Sequence, residues 1–109
     1  MKKIKFVPLE TVLELKENNE PVVLVEALGE KSYNDGHIPG AVHLQPDKVA
    51  ERAPQVLKKS DRIIVYCAGY GCHASTNVTR ELLTLGYKNV ADFKGGKKAW
   101  VDAGLGLEK

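Results

Sequence analysis

Arg62-Ile63-Ile64-Val65-Tyr66-Cys67-Ala68-Gly69-Tyr70-Gly71-Cys72-His73 joins an apolar run to a glycine-punctuated turn, and a helix-like stretch from about Cys72 to Leu85 follows. A short run rich in β-branched residues, apolar on both alternating faces, reads as a strand covered by helices on both sides. The earlier run Val22-Val23-Leu24-Val25 has the same character and is expected to be central too. Around these two, strand and helix patterns alternate about five times. Ile4 to Val7, Ala41 to Leu44 and Asn89 to Phe93 are the other strands. Helices are expected after Pro8 (with Leu9, Val12 and Leu13 on one face, ending at Asn18-Asn19), over Pro46 to Lys58 with a break near Pro54, and over Gly96 to Ala103 with Trp100 inward. A turn or short helix covers Ser32 to Asp35, and Gly86 ends the helix that begins near Cys72. Alternation of this kind predicts an α/β fold: a central parallel sheet of about five strands with helices on both faces.

The whole chain has 109 residues, which at ~100–200 residues per domain leaves room for one domain, residues 1–109. No linker, repeat or low-complexity segment interrupts it. Sixteen Lys and Arg against fourteen Asp and Glu give +2, too small and too interspersed for the basic footprint of a nucleic-acid binder. The longest apolar runs fall far short of the ~20 residues that span a bilayer, so no membrane partner is expected. Behind Met1-Lys2-Lys3-Ile4-Lys5, Pro8, Glu10 and Glu14 interrupt any apolar export signal, and a cytoplasmic location is expected. Two cysteines cannot make a disulfide framework. In a reducing compartment they carry chemistry or sit in the core.

Ligands of parallel α/β folds bind beyond the carboxyl ends of the strands, where Cys67 stands. Gly69 and Gly71 permit a tight curl, and the following helix brings its N-terminal dipole to the same spot, which favours an anion. A thiolate there is expected to have a lowered pKa, making Cys67 a candidate nucleophile. The competing reading is a small apolar side chain in the core. Cys72 and His73 suggest a metal site with His37 or His43, but their spacing is not that of the common zinc modules. Gly69-Tyr70-Gly71-Cys72-His73-Ala74 with Asp92 matches a dinucleotide fingerprint, in a unit that lacks a second half to close over such a ligand. A phosphatase-type C-x5-R loop is excluded because His73 stands at the arginine position and no Lys or Arg occurs between Arg62 and Arg80.

Three motifs in order resemble those of rhodanese-like domains: Gly36-His37-Ile38-Pro39-Gly40-Ala41 with Tyr33 before it, Ile64-Val65-Tyr66-Cys67, and Gly95-Gly96-Lys97-Lys98-Ala99-Trp100. Leu82-Leu83-Thr84-Leu85-Gly86-Tyr87 is similar to the family's helix end, and the likeness covers nearly the whole chain. The resemblance implies a single-domain sulfurtransferase. Cys67 would accept a sulfane sulfur from a small anion (thiosulfate, polysulfide or a persulfide), hold it as a cysteine persulfide, and pass it to a thiol, cyanide or protein acceptor. The loop amides of Ala68, Gly69, Tyr70, Gly71, Cys72 and His73 would bind the donor, with no cofactor and no metal. The alternative is a non-catalytic binding module or a redox sensor using Cys67 and Cys72.

The chain departs from the family pattern in its loop, which carries no Arg or Lys and is about two residues longer to Gly86. Glu26 and Leu28 replace the usual Asp and Arg, and Cys72 is an added thiol, a candidate resolving thiol for a persulfide on Cys67. Without a loop cation, thiosulfate is expected to be a poorer donor than polysulfide. His37 reads as a structural hydrogen-bonding residue, His43 as surface or edge, and Tyr33 and Trp100 as core. Lys94, Lys97 and Lys98 read as a solvated face, with attraction of an anionic donor or an acidic partner as their other use.

Overall fold

Along strand β4 (Ile63–Tyr66) side chains alternate, Ile63 and Val65 into one core and Ile64 and Tyr66 into the other, and Cys67 continues the first series just past the strand end. The computed structural model describes residues 3–109, so Met1 and Lys2 of the charged start lie outside it. On one side of β4 lie β2 (Val23–Glu26) and then β3 (Val42–His43), on the other β5 (Val90–Phe93) and then β1 (Lys5–Phe6), in the order β1-β5-β4-β2-β3. Every pairing is parallel. The predicted five-stranded α/β sheet is therefore present, and each expected strand appears within a residue or two of its place.

Helices α3 (Val49–Val56) and α4 (Ala74–Thr84) cover the Cys67 face, packing Val49, Ala53, Val78 and Leu82 on Val25, Ile63 and Val65. Helices α1 (Leu9–Glu17) and α5 (Gly96–Asp102) cover the other, where Val12 and Trp100 meet Leu24, Ile64, Tyr66 and Phe93. The short α2 (Glu30–Asp35) follows β2 and buries none of its residues. After β2 the chain moves outward to β3, and after β4 it moves the opposite way to β5. The loops leaving these two adjacent strands therefore diverge, which opens a crevice at their carboxyl ends. Cys67 and Glu26 stand on its two sides.

Three local expectations need correction. Pro54 does not break its helix: α3 runs through it, because the amide it lacks would have bonded the exposed Ala50 carbonyl and the helix ends two residues later. The break comes earlier, where a single 3-10 turn at Pro46–Lys48 precedes α3. Helix α4 starts at Ala74 with His73 as its cap, so Cys72 belongs to the loop and not to the helix start. Gly69 and Gly71 do not use glycine's conformational freedom, since neither has a positive φ. The curl is closed by the Cys72 amide donating to the Gly69 carbonyl at 3.0 Å.

Glycine is demanded instead at Gly96, whose φ is +58° and where a Cβ would stand 2.2 Å from the Cys67 carbonyl oxygen. That close approach lets the amides of Lys97 and Lys98 donate to the carbonyls of Cys67 and Ala68, both at 2.9 Å. Gly96→Ala combines a left-handed β-carbon with overpacking against backbone, and is expected to cost roughly 2–4 kcal/mol. A thermal melt should show Tm lower by ~10 °C or more. A melt equal to the parent's would mean that the contact is not needed.

Candidate active site

The Cys67 side chain is wholly buried under the first turn of α4. Its sulfur lies 3.4 Å from Ser75 Oγ and 3.5 Å from the carbonyl oxygen of Cys72, and the Ser75 amide is turned onto it. The Cys72 carbonyl at this distance and the mutual influence of the two sulfurs show that the loop curls back over Cys67. Both are free thiols.

The expected lowering of the Cys67 pKa is not what the structure gives. Burial pushes the Cys67 thiol up, and the neighbouring Cys72 sulfur adds to this, against a smaller downward pull from Ser75. For half-buried Cys72, burial works in the same upward direction, but it is outweighed. The Cys67 thiol, the amides of Ala74 and Ala68, and the charge of Lys94 together hold Cys72 below the usual thiol range. The two sulfurs are thus shifted in opposite directions, Cys67 up and Cys72 down.

Of the loop residues expected to bind a donor, Ala68 turns its amide onto the Cys72 sulfur, while the Gly69 carbonyl and the Cys72 amide close the turn on each other. Tyr70, Gly71 and His73 are exposed, and Tyr70 stands out at the crest of the loop with 73% of its surface free. The anion-facing amides nearest the sulfurs are thus those of Ala68, Ala74 and Ser75. Two of these lie just beyond the stretch read from sequence.

The solvated-face reading of the lysines fails for two of three. The Lys97 ammonium reaches 3.2 Å from Oε1 of fully buried Glu26 and donates to the carbonyl and hydroxyl of Ser32 at 2.8 and 3.0 Å. The Tyr66 hydroxyl donates to the same Glu26 oxygen at 2.9 Å and accepts from the Ile38 amide at 3.0 Å. Burial first, then the Glu26 charge, pushes the Tyr66 phenol up, which keeps it a neutral donor. Lys94, half-buried after β5, donates to the Cys72 carbonyl at 2.6 Å. Lys98 alone of the three is exposed, in an i,i+4 pair with Asp102.

His37 fits its structural reading. It is buried, stacks on Tyr33 with ring centroids 3.9 Å apart, and places Nδ1 3.0 Å from the Tyr33 carbonyl and Nε2 3.3 Å from Glu108. Glu108 also accepts from the Gly40 amide at 2.6 Å, so the C-terminal tail straps the Gly36–Ala41 turn. His43 lies half-buried on edge strand β3, its Nε2 2.6 Å from the Leu28 carbonyl. Tyr33 is half-buried and donates to the Ala41 carbonyl, and Trp100 is buried and donates to the Gly106 carbonyl at 2.8 Å. Among the described residues no three His, Cys, Asp or Glu side chains stand together as metal ligands. Asp92 of the dinucleotide fingerprint is wholly buried on β5 and accepts from Thr76 at 2.6 Å. No helix among the described residues is long and apolar enough to cross a membrane.

A family model for the rhodanese-like domain matches residues 9–103. The thiosulfate sulfurtransferase GlpE of Tolumonas auensis is 30% identical over 79 residues, covering 72% of each chain. The protein HIGH ARSENIC CONTENT 1 of Arabidopsis thaliana is 39% identical over 66 residues, 61% of this chain and 37% of that one. Among solved structures, the rhodanese-like domain of the Anabaena protein Alr3790 superposes with a TM-score of 0.84 at 29% identity, covering 97% of this chain and 80% of that one. The BH2092 protein of Bacillus halodurans gives 0.85 at 25% identity over 95% and 76%.

Two outcomes follow from the geometry. Alkylation by iodoacetamide, mapped on peptides across a pH series, should label Cys72 at neutral pH with a midpoint below that of a free cysteine. Cys67 should react only at higher pH, and the reverse order would contradict the opposite shifts of the two thiols. Lys97→Met strands the Glu26 carboxylate and should cost roughly 3–5 kcal/mol in urea unfolding, whereas Glu26→Gln combined with Lys97→Met should recover more than half. An unchanged urea midpoint in the single variant would remove the pair from the list of stabilising contacts.

Proposed function

Given that this chain belongs to the rhodanese-like domain family, we propose that it is a sulfurtransferase in which Cys67 carries a sulfane sulfur as a cysteine persulfide and passes it to a thiophilic acceptor. The observation that carries this reading is the position of the Cys67 sulfur: at the carboxyl end of β4, beside the crevice between two diverging loops, with the Ser75 amide turned onto it. Residues 1–109 act as one such domain.

With thiosulfate as donor, the Cys67 thiolate attacks the outer sulfur, the S–S bond breaks, and its electron pair leaves with sulfite. The product is a Cys67 persulfide anion, which cyanide attacks at its terminal sulfur to give thiocyanate and restore the thiolate. Polysulfide or a small persulfide serves as donor, and a thiol or a protein cysteine as acceptor, by the same displacement. No cofactor enters, because each step exchanges one S–S bond or S–C bond for another. Because burial raises the Cys67 thiol, the attack needs a base, and in this reading Cys72, held below the usual thiol range beside it, takes that proton. The amides of Ser75, Ala74 and Ala68 then face the anionic product.

A second reading, favoured by the contact between the two thiols, is a redox pair that stores oxidising equivalents as a Cys67–Cys72 disulfide. Sulfur transfer from thiosulfate and from polysulfide to cyanide, with mass spectrometry of the loaded protein, separates the two. Cys67→Ala should lose at least about 100-fold in turnover while keeping its fold. The added sulfur should be found on Cys67, and Cys72→Ser should lengthen its lifetime if Cys72 also resolves it. Undiminished turnover in Cys67→Ala would remove Cys67 as carrier. A disulfide without any persulfide in the parent protein would favour the redox pair.

A further inference from the structure

Three lysines stand close together in sequence around the turn into α5, and their surroundings differ. Lys97 neutralises Glu26 and Lys98 pairs with Asp102, but among the described residues no carboxylate lies within ion-pair distance of Lys94. Its ammonium is half-buried and bonds only a neutral acceptor, the Cys72 carbonyl, at 2.6 Å. That same carbonyl oxygen lies 3.5 Å from the Cys67 sulfur, so the shared acceptor holds the Lys94 nitrogen within about 6 Å of that sulfur. Val90 and Asp92 of β5 meet the α4 face, through the core cluster and Thr76 respectively, and the strand alternation carries Lys94 toward the same face. Asp92 itself is held by Thr76 and does not neutralise the lysine.

An ammonium that pairs with no carboxylate among the described residues, within about 6 Å of a reacting sulfur, acts where the loop sequence offers no cation. Resting on the sulfurtransferase reading, we propose that Lys94 is the donor-binding cation of this site: it leaves the Cys72 carbonyl for the sulfonate end of thiosulfate and stabilises sulfite as it departs. The site thereby regains, from the loop after β5, the positive charge that its own loop lacks. Charge accumulates on the sulfonate end as the S–S bond breaks, so the contact strengthens toward the transition state and should act on kcat as well as on KM. Thiosulfate is then a competent donor, contrary to the expectation drawn from the loop sequence alone.

The test compares thiosulfate with dimethyl trisulfide, a sulfane donor without charge, in the parent protein, Lys94→Met and Lys94→Arg, each checked by thermal melt. Lys94→Met should lose kcat/KM at least about 10-fold more for thiosulfate than for the trisulfide. Lys94→Arg should restore most of the difference. Rising ionic strength should weaken thiosulfate use in the parent protein and much less in Lys94→Met. Equal losses for both donors would show that Lys94 only shapes the loop, and no loss for either would remove it from the site; each result overturns the proposal while leaving the sulfurtransferase reading intact. Turnover of neither donor by the parent protein would overturn both.

Discussion

The site depends on two backbone hydrogen bonds, from the amides of Lys97 and Lys98 to the carbonyls of Cys67 and Ala68. Turning those carbonyls outward to α5 fixes the peptide planes behind the sulfur. The loop then has to close on itself through the Cys72 amide and the Gly69 carbonyl, which leaves the amides of Ala68, Ala74 and Ser75 free to face the two sulfurs. These amides are fixed by backbone bonds alone, the kind of rigid dipole array that needs little reorganisation to face negative charge. Its requirement is a residue without a side chain at Gly96, where the two backbones touch.

Lys97 serves this arrangement twice. Its amide holds the Cys67 carbonyl from above, and its side chain reaches across the crevice to Glu26 at the end of β2. Glu26 is buried, and among the described residues its Oε2 has no hydrogen-bond partner, so the carboxylate relies on Lys97 and the Tyr66 hydroxyl at Oε1. A buried pair of this kind contributes little net stability compared with apolar packing, but losing one member is costly. It ties the two diverging loops to one helix, and so fixes the spacing between the ends of β2 and β4.

Much of this was legible from local pattern. The run Ile63 to Tyr66 is a buried strand because its residues are apolar on both faces, and Cys67 follows it at the sheet's functional edge. Gly86, with a φ of +100°, ends α4 because only glycine readily takes that conformation. What failed to show locally depends on pairing across the chain. Nothing beside Glu26 marks Lys97 as its partner, and the run Lys94, Lys97, Lys98 looks uniform although each side chain meets a different acceptor. The available cue was the strand period, which turns Lys94 to the α4 side with Asp92. The thiol acidities were misassigned for a related reason. A helix terminus lowers a sulfur's pKa only if burial costs less than the dipole gives, and the depth of Cys67 follows from its place in the core, not from its neighbours in sequence.

Among the described residues strand β1 pairs only with β5, and the amides that hold the Cys67 and Ala68 carbonyls come from α5. The first strand and the Cys67 loop therefore both wait on the last strand and helix of the chain. Both are contacts between segments far apart in sequence, the kind whose loop-closure cost slows folding, so the two ends of the chain and the loop between them are expected to settle together and late.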